Sequence, residues 1–220
     1  MKTRVKICCM HSVAEAGLAV SLGAAAVGMV GAMPSGPGPI DDDLIRCIAA
    51  AVPPPVATFL LTCETGAGGI VAHHRRTLTN TIQLVDAPEA GAVASVRAEL
   101  PAIRIVRVVH VRNEESVDEA LRAAEEADAL LLDSGNPDLS VKQLGGTGRV
   151  HDWRLSRRIV ELSPKPVFLA GGLKPENVRA AIEQVGPFGV DLCTGVRTDN
   201  RLDPRRLEAF FREVEAADGR

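Results

Sequence analysis

The sequence predicts an α/β chain folded as a single-domain (β/α)8 TIM barrel. Short apolar or β-branched runs alternate with helical patterns, and the alternation repeats eight times within 220 residues. A doubly wound open sheet would show the same alternation. It is disfavoured because the Gly-rich segment GGTGRVH has His151 in place of a third glycine and does not directly follow a strand.

The predicted elements run in order along the chain. Strands are expected at 5–9, 26–33, 57–61, 81–84, 103–110, 129–133, 166–170 and 189–192, and helices at 12–22, 41–51, 65–74, 88–99, 116–125, 152–162 and 174–185. A final helix is expected in DPRRLEAFFREVEAA, where Leu207, Phe210 and Val214 fall on one apolar stripe. No linker interrupts the pattern, so residues 1–220 are predicted to form one domain.

Composition excludes several classes of function. The net charge is −3, aromatic residues make up 3%, and there is no basic stripe, so a nucleic-acid partner is not expected. The five cysteines form no CxxC pairs, which favours a reduced, cytoplasmic protein over a disulfide or zinc framework.

The uncharged run at 17–33 is too short for a membrane span. HHRR, at 73–76, is interpreted as a solvated helix end rather than a metal site. The sequence carries no signal of oligomeric state.

Polar side chains are expected to act at the carboxyl ends of the barrel strands. Cys8 is near the end of the first strand, and Asp133 ends the sixth. Lys6 shares the parity of Cys8, so both are expected inside the barrel, where an ammonium lowers the pKa of a thiol. Leu131 shares the parity of Asp133 and predicts an inward carboxylate. Two readings of each remain open: Cys8 is a core thiol or a base, and Asp133 is a turn cap or a proton donor.

Glycine-rich segments follow the seventh and eighth strands. AGGL contains Gly171 and Gly172, and DLCTGV contains Asp191, Thr194 and Gly195. Backbone N–H groups and helix N-termini in these two loops commonly bind phosphate. The alternative is that the glycines serve only tight turns. A thiol, a carboxylate and a phosphate site around one barrel mouth suit proton transfer on a sugar phosphate.

Five segments resemble the phosphoribosylanthranilate isomerase family over essentially the full length. VKICC resembles the family's VKICG, and IQLVD resembles its QLHG strand, with Gln83 kept. LLLDS, the long loop and GGTGRVHDW resemble a segment with an LLD aspartate, GGTG and FDW. FLAGGLKPENV and GVDLCTGVR resemble AGGLxPxNV and GVDVSSGVE.

The resemblance implies an isomerase of tryptophan biosynthesis that performs an Amadori rearrangement without metal or organic cofactor. It implies that Asp133 is the general acid toward the ribose ring oxygen and that Cys8 is the general base toward the C2 proton. It also implies that the loop containing Gly145, Gly146 and Gly148 closes over a phosphorylated substrate. The residues assigned to substrate or phosphate binding are Lys6, Gln83, Gly146, Gly171, Gly172, Asp191, Thr194 and Gly195.

Departures from the family pattern cluster around the aglycone. They are Cys9 for glycine, Ser12 for arginine, Gly38 for arginine, Val85 and Asp86 for His-Gly, His110 for arginine, and Arg197 for glutamate. A charged hydrogen bond contributes about 1.5–3 kcal/mol, so Gly38 predicts weaker binding of an anthranilate carboxylate. An arginine restored at position 38 is expected to recover some affinity. Arg149, Arg197 and His110 are candidates to replace it.

Two alternative functions remain open at the level of sequence. One is a paralogue that acts on another phosphorylated small molecule. The other is a non-catalytic protein that binds a phosphorylated ligand. Such a binder would need neither Cys8 nor Asp133.

Overall fold

Eight parallel strands close into a barrel in the order in which they occur along the chain. The computed structural model describes residues 2–34, 36–135 and 150–219, and in it each strand pairs with the next and the first with the eighth. The strands are β1 (Arg4–Ile7), β2 (Ala26–Val30), β3 (Ala57–Thr62), β4 (Thr81–Leu84), β5 (Arg104–His110), β6 (Ala129–Asp133), β7 (Val167–Leu169) and β8 (Gly189–Leu192). The predicted (β/α)8 fold is confirmed.

The helices follow their strands around the outside. They are α1 (Val13–Ser21), α2 (Asp42–Ala51), α3 (Ala67–Thr77), α4 (Ala92–Glu99), α5 (Glu115–Glu126), α6 (Trp153–Leu162), α7 (Val178–Val185) and α8 (Pro204–Asp218). The carboxylates of Asp152 and Asp203 cap the N-termini of α6 and α8, and aspartate is one of the residues favoured at the N-cap position. A short hairpin, β9 (Arg197–Thr198) and β10 (Arg201–Leu202), precedes α8 and was not predicted.

Several predicted boundaries were wrong: the second strand ends at Val30 rather than 33, the third helix ends at Thr77 rather than 74, and the fourth helix begins at Ala92 rather than 88. Two further differences have identifiable reasons. The first strand ends at Ile7 rather than Cys9, because Cys9 has φ +60°, outside the β region. The seventh helix begins at Val178 rather than at residue 174. There the Asn177 side chain accepts a hydrogen bond from the Lys174 N–H at 2.9 Å, closing a separate turn before the helix.

Alternating side chains of the strands divide the core into two layers. On β6, Leu130 and Leu132 pack outward against the helices, whereas Leu131 packs inside the barrel. On β1, Ile7 faces the helices and Cys8, just beyond the strand, belongs to the interior cluster. The predicted parity is therefore confirmed, and it directs Cys8 and Asp133 to the same side of the sheet.

The interpretation of HHRR as a solvated helix end was wrong for His73. Its ring is buried on α3 and bridges two elements, with Nδ1 2.9 Å from Thr62 Oγ1 and Nε2 3.1 Å from an Asp42 oxygen. Sequence position alone did not reveal these partners on β3 and α2. None of the helices in the described ranges has the length and apolar character that a bilayer crossing requires.

Candidate active site

One pocket opens at the carboxyl ends of the strands and gathers most of the predicted site residues. Seven of them line it: Cys8, Gln83, Asp133, Gly171, Gly172, Asp191 and Thr194. They come from five strands or the loops that follow them, which is the arrangement expected of a barrel whose site lies on this face. Apolar side chains, among them Val30, Leu61 and Leu131, form the rest of the wall.

Lys6 and Asp191 form a buried ion pair beneath this pocket. The two residues are register partners on β1 and β8, and Lys6 Nζ lies 2.9 Å from Asp191 Oδ1. The ammonium is also 5.0 Å from the centre of the Phe59 ring. Burial lowers the pKa of Lys6, but the Asp191 carboxylate and the Cys8 and Cys9 sulfurs together outweigh burial, and the pKa ends above its ordinary value. Lys6 is therefore a charged group inside the barrel, turned toward Asp191.

The Cys8 thiol is held in an environment that favours the thiolate. A hydrogen bond from the Cys9 thiol lowers the pKa of Cys8, burial raises it, and the Lys6 ammonium lowers it again. The net shift is downward. Lys6 lowers the pKa of Cys8 as predicted, but Cys9 lowers it more, and this effect of Cys9 was not predicted.

Gly28 on β2 makes the room that this thiol occupies. A Cβ built on Gly28 would lie 3.0 Å from Cys8 Sγ and 3.1 Å from Lys6 Nζ. Any side chain at this position would displace one or both groups. The role of Gly28 was not predicted from the sequence. A single glycine inside a strand indicates that another group approaches the backbone closely, but it does not identify that group.

Asp133 ends β6 with its carboxylate in the pocket, and it is 8% exposed. Burial raises the pKa of Asp133, a hydrogen bond from the Ser134 N–H (2.8 Å) lowers it, and the Asp191 carboxylate raises it again. The result is a pKa of about 6. Such a group still holds its proton in mildly acidic solution, unlike an ordinary aspartic acid.

The two glycine-rich loops meet at one side of the pocket. Gly171 and Gly172 have φ of +86° and +65°, so the backbone adopts a left-handed turn there that other residues disfavour. A Cβ on Gly195 would overlap the carbonyl oxygen of Leu173, so this glycine lets the two loops pack together. Thr194 lines the pocket at the start of a 3-10 turn, Thr194–Val196.

Gln83 lies on β4 and is 2% exposed. Its side-chain oxygen has no hydrogen-bond partner in the part of the chain that the structure describes. A buried acceptor without a partner costs free energy unless a ligand or water satisfies it. This atom is therefore suited to accept a hydrogen bond from a bound molecule.

A side chain at position 38 would strain the present backbone, and the recovery of affinity expected from an arginine there stays a prediction. Gly38 has φ +92°, and a Cβ there would lie 2.7 Å from the Cβ of Cys9. A Cβ contact under 3.0 Å requires that one of the two backbones moves. Cys9 and Gly38 are both departures from the family pattern, and the Cys9 side chain fills the space that a side chain at position 38 would need.

The three candidates for an aglycone cation differ in their surroundings. Both terminal nitrogens of Arg197 are bound to Glu15, at 3.1 and 2.9 Å, so this guanidinium is committed elsewhere. His110 is buried on β5 as the register partner of Asp133. Arg149 lies outside the described residues, as do Gly145, Gly146 and Gly148 of the predicted closing loop.

No cluster of three or more histidine, cysteine or carboxylate side chains within residues 2–34, 36–135 and 150–219 is arranged to hold a metal ion. The pocket instead combines three cysteine thiols, two carboxylates and glycine backbone, with the buried Lys6 ammonium beneath it. These groups can move protons and hold an anion.

Comparisons with known proteins agree with this arrangement. Residues 71–213 match the family model described as N-(5'phosphoribosyl)anthranilate (PRA) isomerase. The N-(5'-phosphoribosyl)anthranilate isomerase of Methanocella arvoryzae is 33% identical over 96% of this chain and 97% of its own length. That of Halobacterium salinarum is 35% identical over 97% of this chain and 96% of its own.

Solved structures show the same fold. The phosphoribosyl anthranilate isomerase of Thermotoga maritima superposes with a TM-score of 0.83 at 29% identity, covering 97% of this chain and 99% of that one. A phosphoribosyl anthranilate isomerase in complex with reduced 1-(o-carboxyphenylamino)-1-deoxyribulose 5-phosphate superposes with a TM-score of 0.80 at 27% identity and the same coverage. The family match and the full-length relatives lead to one conclusion: this chain belongs to the N-(5'-phosphoribosyl)anthranilate isomerase family.

Proposed function

We propose that Asp133 and Cys8 are the acid and the base with which this chain isomerises N-(5'-phosphoribosyl)anthranilate. The chain is an isomerase of tryptophan biosynthesis by its family. The observation that supports the two roles is their placement: a carboxyl group with a raised pKa and a thiol with a lowered pKa line one pocket at the barrel mouth. Opposite shifts of this kind distinguish an acid from a base.

The rearrangement follows from these two groups. Asp133 gives its proton to the ribose ring oxygen, and the ring opens to a Schiff base. The Cys8 thiolate then removes the C2 proton, which leaves an enolamine. Tautomerisation of the enolamine gives the 1-deoxyribulose 5-phosphate product, an isomer of the substrate, so no redox partner is consumed.

Lys6 and Asp191 set the charge around this chemistry. The Lys6 ammonium favours the Cys8 thiolate, while the Asp191 carboxylate, 2.9 Å from Lys6, favours the protonated form of Asp133. Each charge also opposes the other role, because Asp191 raises the pKa of Cys8 and Lys6 lowers the pKa of Asp133. We propose that Lys6 acts from beneath the pocket and that Asp191, which lines it, also contacts the substrate.

The substrate phosphate is proposed to bind where the two glycine loops meet. The left-handed turn at Gly171 and Gly172 and the 3-10 turn that starts at Thr194 support this, because backbone N–H groups in such turns bind anions. Gly195 contributes by letting the loops pack. Gln83, with its unsatisfied oxygen, is proposed to accept a hydrogen bond from the sugar. Gly146 is also proposed to contact the substrate.

We further propose that residues 1–220 act as one domain in the cytoplasm with a phosphorylated small molecule as partner. The pairing of β1 with β8 supports a single domain, because the barrel needs both ends of the chain. All five cysteines are free, which supports a reducing compartment. The paralogue and the non-catalytic binder gain no support from the comparisons.

The proposed function is tested by steady-state kinetics with synthetic phosphoribosylanthranilate, together with complementation of a tryptophan auxotroph that lacks this isomerase. Turnover and growth are expected from the wild-type chain. Cys8→Ser and Asp133→Asn should fail in both assays. Binding of the substrate without turnover by the wild-type protein would contradict the proposal and favour the non-catalytic binder.

A further inference from the structure

Arg197 makes a set of buried contacts that the reaction described above does not use. It follows the 3-10 turn after β8, and its side chain is 6% exposed. Its two terminal nitrogens donate to the two carboxylate oxygens of Glu15, at 3.1 and 2.9 Å, in a paired fork. They also donate to the backbone carbonyl oxygens of Cys9 and Asn200, the latter at 2.8 Å.

Glu15 is fully engaged by the same network. Besides Arg197, its carboxylate accepts hydrogen bonds from the backbone N–H of His11 and of Leu202, each at 3.0 Å. Burial raises the pKa of Glu15, but the hydrogen bond from Arg197 and those backbone bonds lower it below its ordinary value. The carboxylate therefore stays charged, and the pair remains intact across the pH range in which a thiol titrates.

This network joins three segments of the barrel mouth. They are the loop that carries Cys8 and Cys9, the first turn of α1 that carries Glu15, and the β9–β10 hairpin that carries Leu202. Each segment on its own is a short connection. Because the guanidinium binds the Glu15 carboxylate and the carbonyl oxygens of Cys9 and Asn200, movement of any of the three segments breaks a charged hydrogen bond.

The contact with Cys9 is the one that matters for chemistry. Cys9 has φ +60°, a conformation that is strained for a residue with a side chain and persists only where surrounding contacts hold it. That conformation sets the position of the Cys9 thiol, whose sulfur lies 3.7 Å from the carbonyl oxygen of Pro37. The hydrogen-bonding interaction of this thiol with Cys8 lowers the pKa of Cys8 and so favours its thiolate. Arg197 fixes the carbonyl of this strained residue.

We propose that Arg197, paired with Glu15, is a positioning residue that holds the Cys8–Cys9 segment so that the Cys8 sulfur stays in its catalytic place. The proposal rests on the role of Cys8 as base proposed above. In this proposal Arg197 positions other groups and is not catalytic, because its two terminal nitrogens are already bound to protein and it is not among the residues that line the active pocket. It lines an adjoining pocket together with Cys9 and Thr194.

The test compares Arg197→Met with Arg197→Lys and with a matched control, Arg179→Met. Arg179 forms an exposed ion pair with Glu183 on α7, so its loss removes a surface pair only. Three quantities are measured for each variant: kcat, KM, and the pH dependence of iodoacetamide alkylation at Cys8, mapped by mass spectrometry. Thermal melting accompanies each measurement, so that activities refer to folded enzyme.

Arg197→Met is expected to lower kcat by about 10- to 100-fold, because small misplacements of a reacting group cost this much, while KM changes less than about threefold. Alkylation of Cys8 should shift to higher pH as the thiol–thiol hydrogen bond weakens. Arg197→Lys keeps the charge without the planar fork, so it should recover only part of kcat. The control should match the wild type in all three quantities.

Several results would overturn the proposal. An unchanged kcat, a rise in KM alone, or a lower kcat with unmoved alkylation of Cys8 would mean that Arg197 does not position the base. Full recovery by Arg197→Lys would mean that charge alone suffices. If Arg197→Met does not fold, the same measurements are made on Glu15→Gln. This variant keeps the shape of the Glu15 side chain and removes the negative charge that pairs with Arg197.

Cys8→Ser, measured in parallel, separates this inference from the proposed function. Wild-type turnover by Cys8→Ser would show that Cys8 is not the base, whatever the effect of Arg197→Met. An inactive Cys8→Ser beside an unaffected Arg197→Met would leave the function standing and overturn only the positioning role.

Discussion

The Cβ atom of Cys9 lies where a side chain at position 38 would have to begin. An ideal Cβ on Gly38 would be 2.7 Å from it, and both residues have positive φ, +60° for Cys9 and +92° for Gly38. The two positions therefore depend on each other. A glycine at 38 is required as long as position 9 carries a side chain and the backbone keeps this course.

This dependence predicts non-additive stability. Gly38→Ala should lower the free energy of unfolding by about 1 kcal/mol or more, because it adds left-handed strain and an overlap with Cys9. In the Cys9→Gly background the overlap is gone, so the same substitution should cost less, with a coupling of about 0.5–3 kcal/mol. Urea unfolding of the four proteins measures it. Additive effects would show that the two sites do not share space.

Gly28→Ala is predicted to reduce turnover through crowding of the base. The added methyl group would sit about 3 Å from Cys8 Sγ and Lys6 Nζ, so one of them must move. We expect kcat to fall by about threefold to tenfold, since the required shift is smaller than the 1 Å misplacement that costs about 100-fold. Gly17→Ala is the matched control: it meets nothing within 4 Å on α1 and should slightly stabilise the protein without loss of activity. Equal activities of the two variants would argue against crowding.

Much of this arrangement was readable from the sequence. Strand order, helix order and the inward parity of Lys6, Cys8 and Asp133 follow from periodicity, because the pleat places alternate residues on opposite faces. The ends of elements were less predictable. Cys9 leaves the strand through a left-handed backbone that tertiary contacts maintain, and local propensity gives no sign of them.

The contacts across the barrel mouth could not be predicted from the sequence. The Arg197–Glu15 pair joins residues 182 positions apart, and spacing says nothing about such partners. Gly28 is a similar case, since the need for glycine there comes from Cys8, just beyond the end of the neighbouring strand β1. In the sequence, Gly38 was interpreted as a replacement of the family's arginine. Only the three-dimensional position of Cys9 shows why a glycine is needed there.

The Lys6–Asp191 pair predicts opposite shifts of the pH–rate profile. Loss of the carboxylate in Asp191→Asn lowers the pKa of both Asp133 and Cys8, since that charge raises both. Loss of the ammonium in Lys6→Met raises both, since that charge lowers both. Both limbs of the profile for kcat/KM should therefore move to lower pH in the first variant and to higher pH in the second. Shifts in the same direction would contradict the assigned charges.

Asp133 is predicted to cost stability above neutral pH. Its folded pKa of about 6 lies above the ordinary 3.8, so the protonated form stabilises the fold below about pH 4 and this contribution is lost as pH rises through 6. A pKa difference of about 2 corresponds to about 3 kcal/mol.

Asp133→Asn is neutral at every pH and keeps an acceptor for the Ser134 N–H. Its advantage in unfolding free energy over the wild type should therefore grow by up to about 3 kcal/mol between about pH 4 and pH 8. Denaturant unfolding at a series of pH values measures this difference. An advantage that does not change with pH would mean that Asp133 titrates like an exposed carboxylate.

Single-turnover and steady-state kinetics of Cys8→Ser and Asp133→Asn with phosphoribosylanthranilate test the central claim most directly. Serine nearly preserves the size of the base but has a far higher pKa, and asparagine preserves the shape of the acid without its proton. Each substitution is expected to lower kcat by about 10²- to 10⁴-fold with the substrate still bound, and the double variant should lose less than the product of the two. Turnover within a few-fold of the wild type in either single variant would contradict the assignment of Asp133 as acid and Cys8 as base.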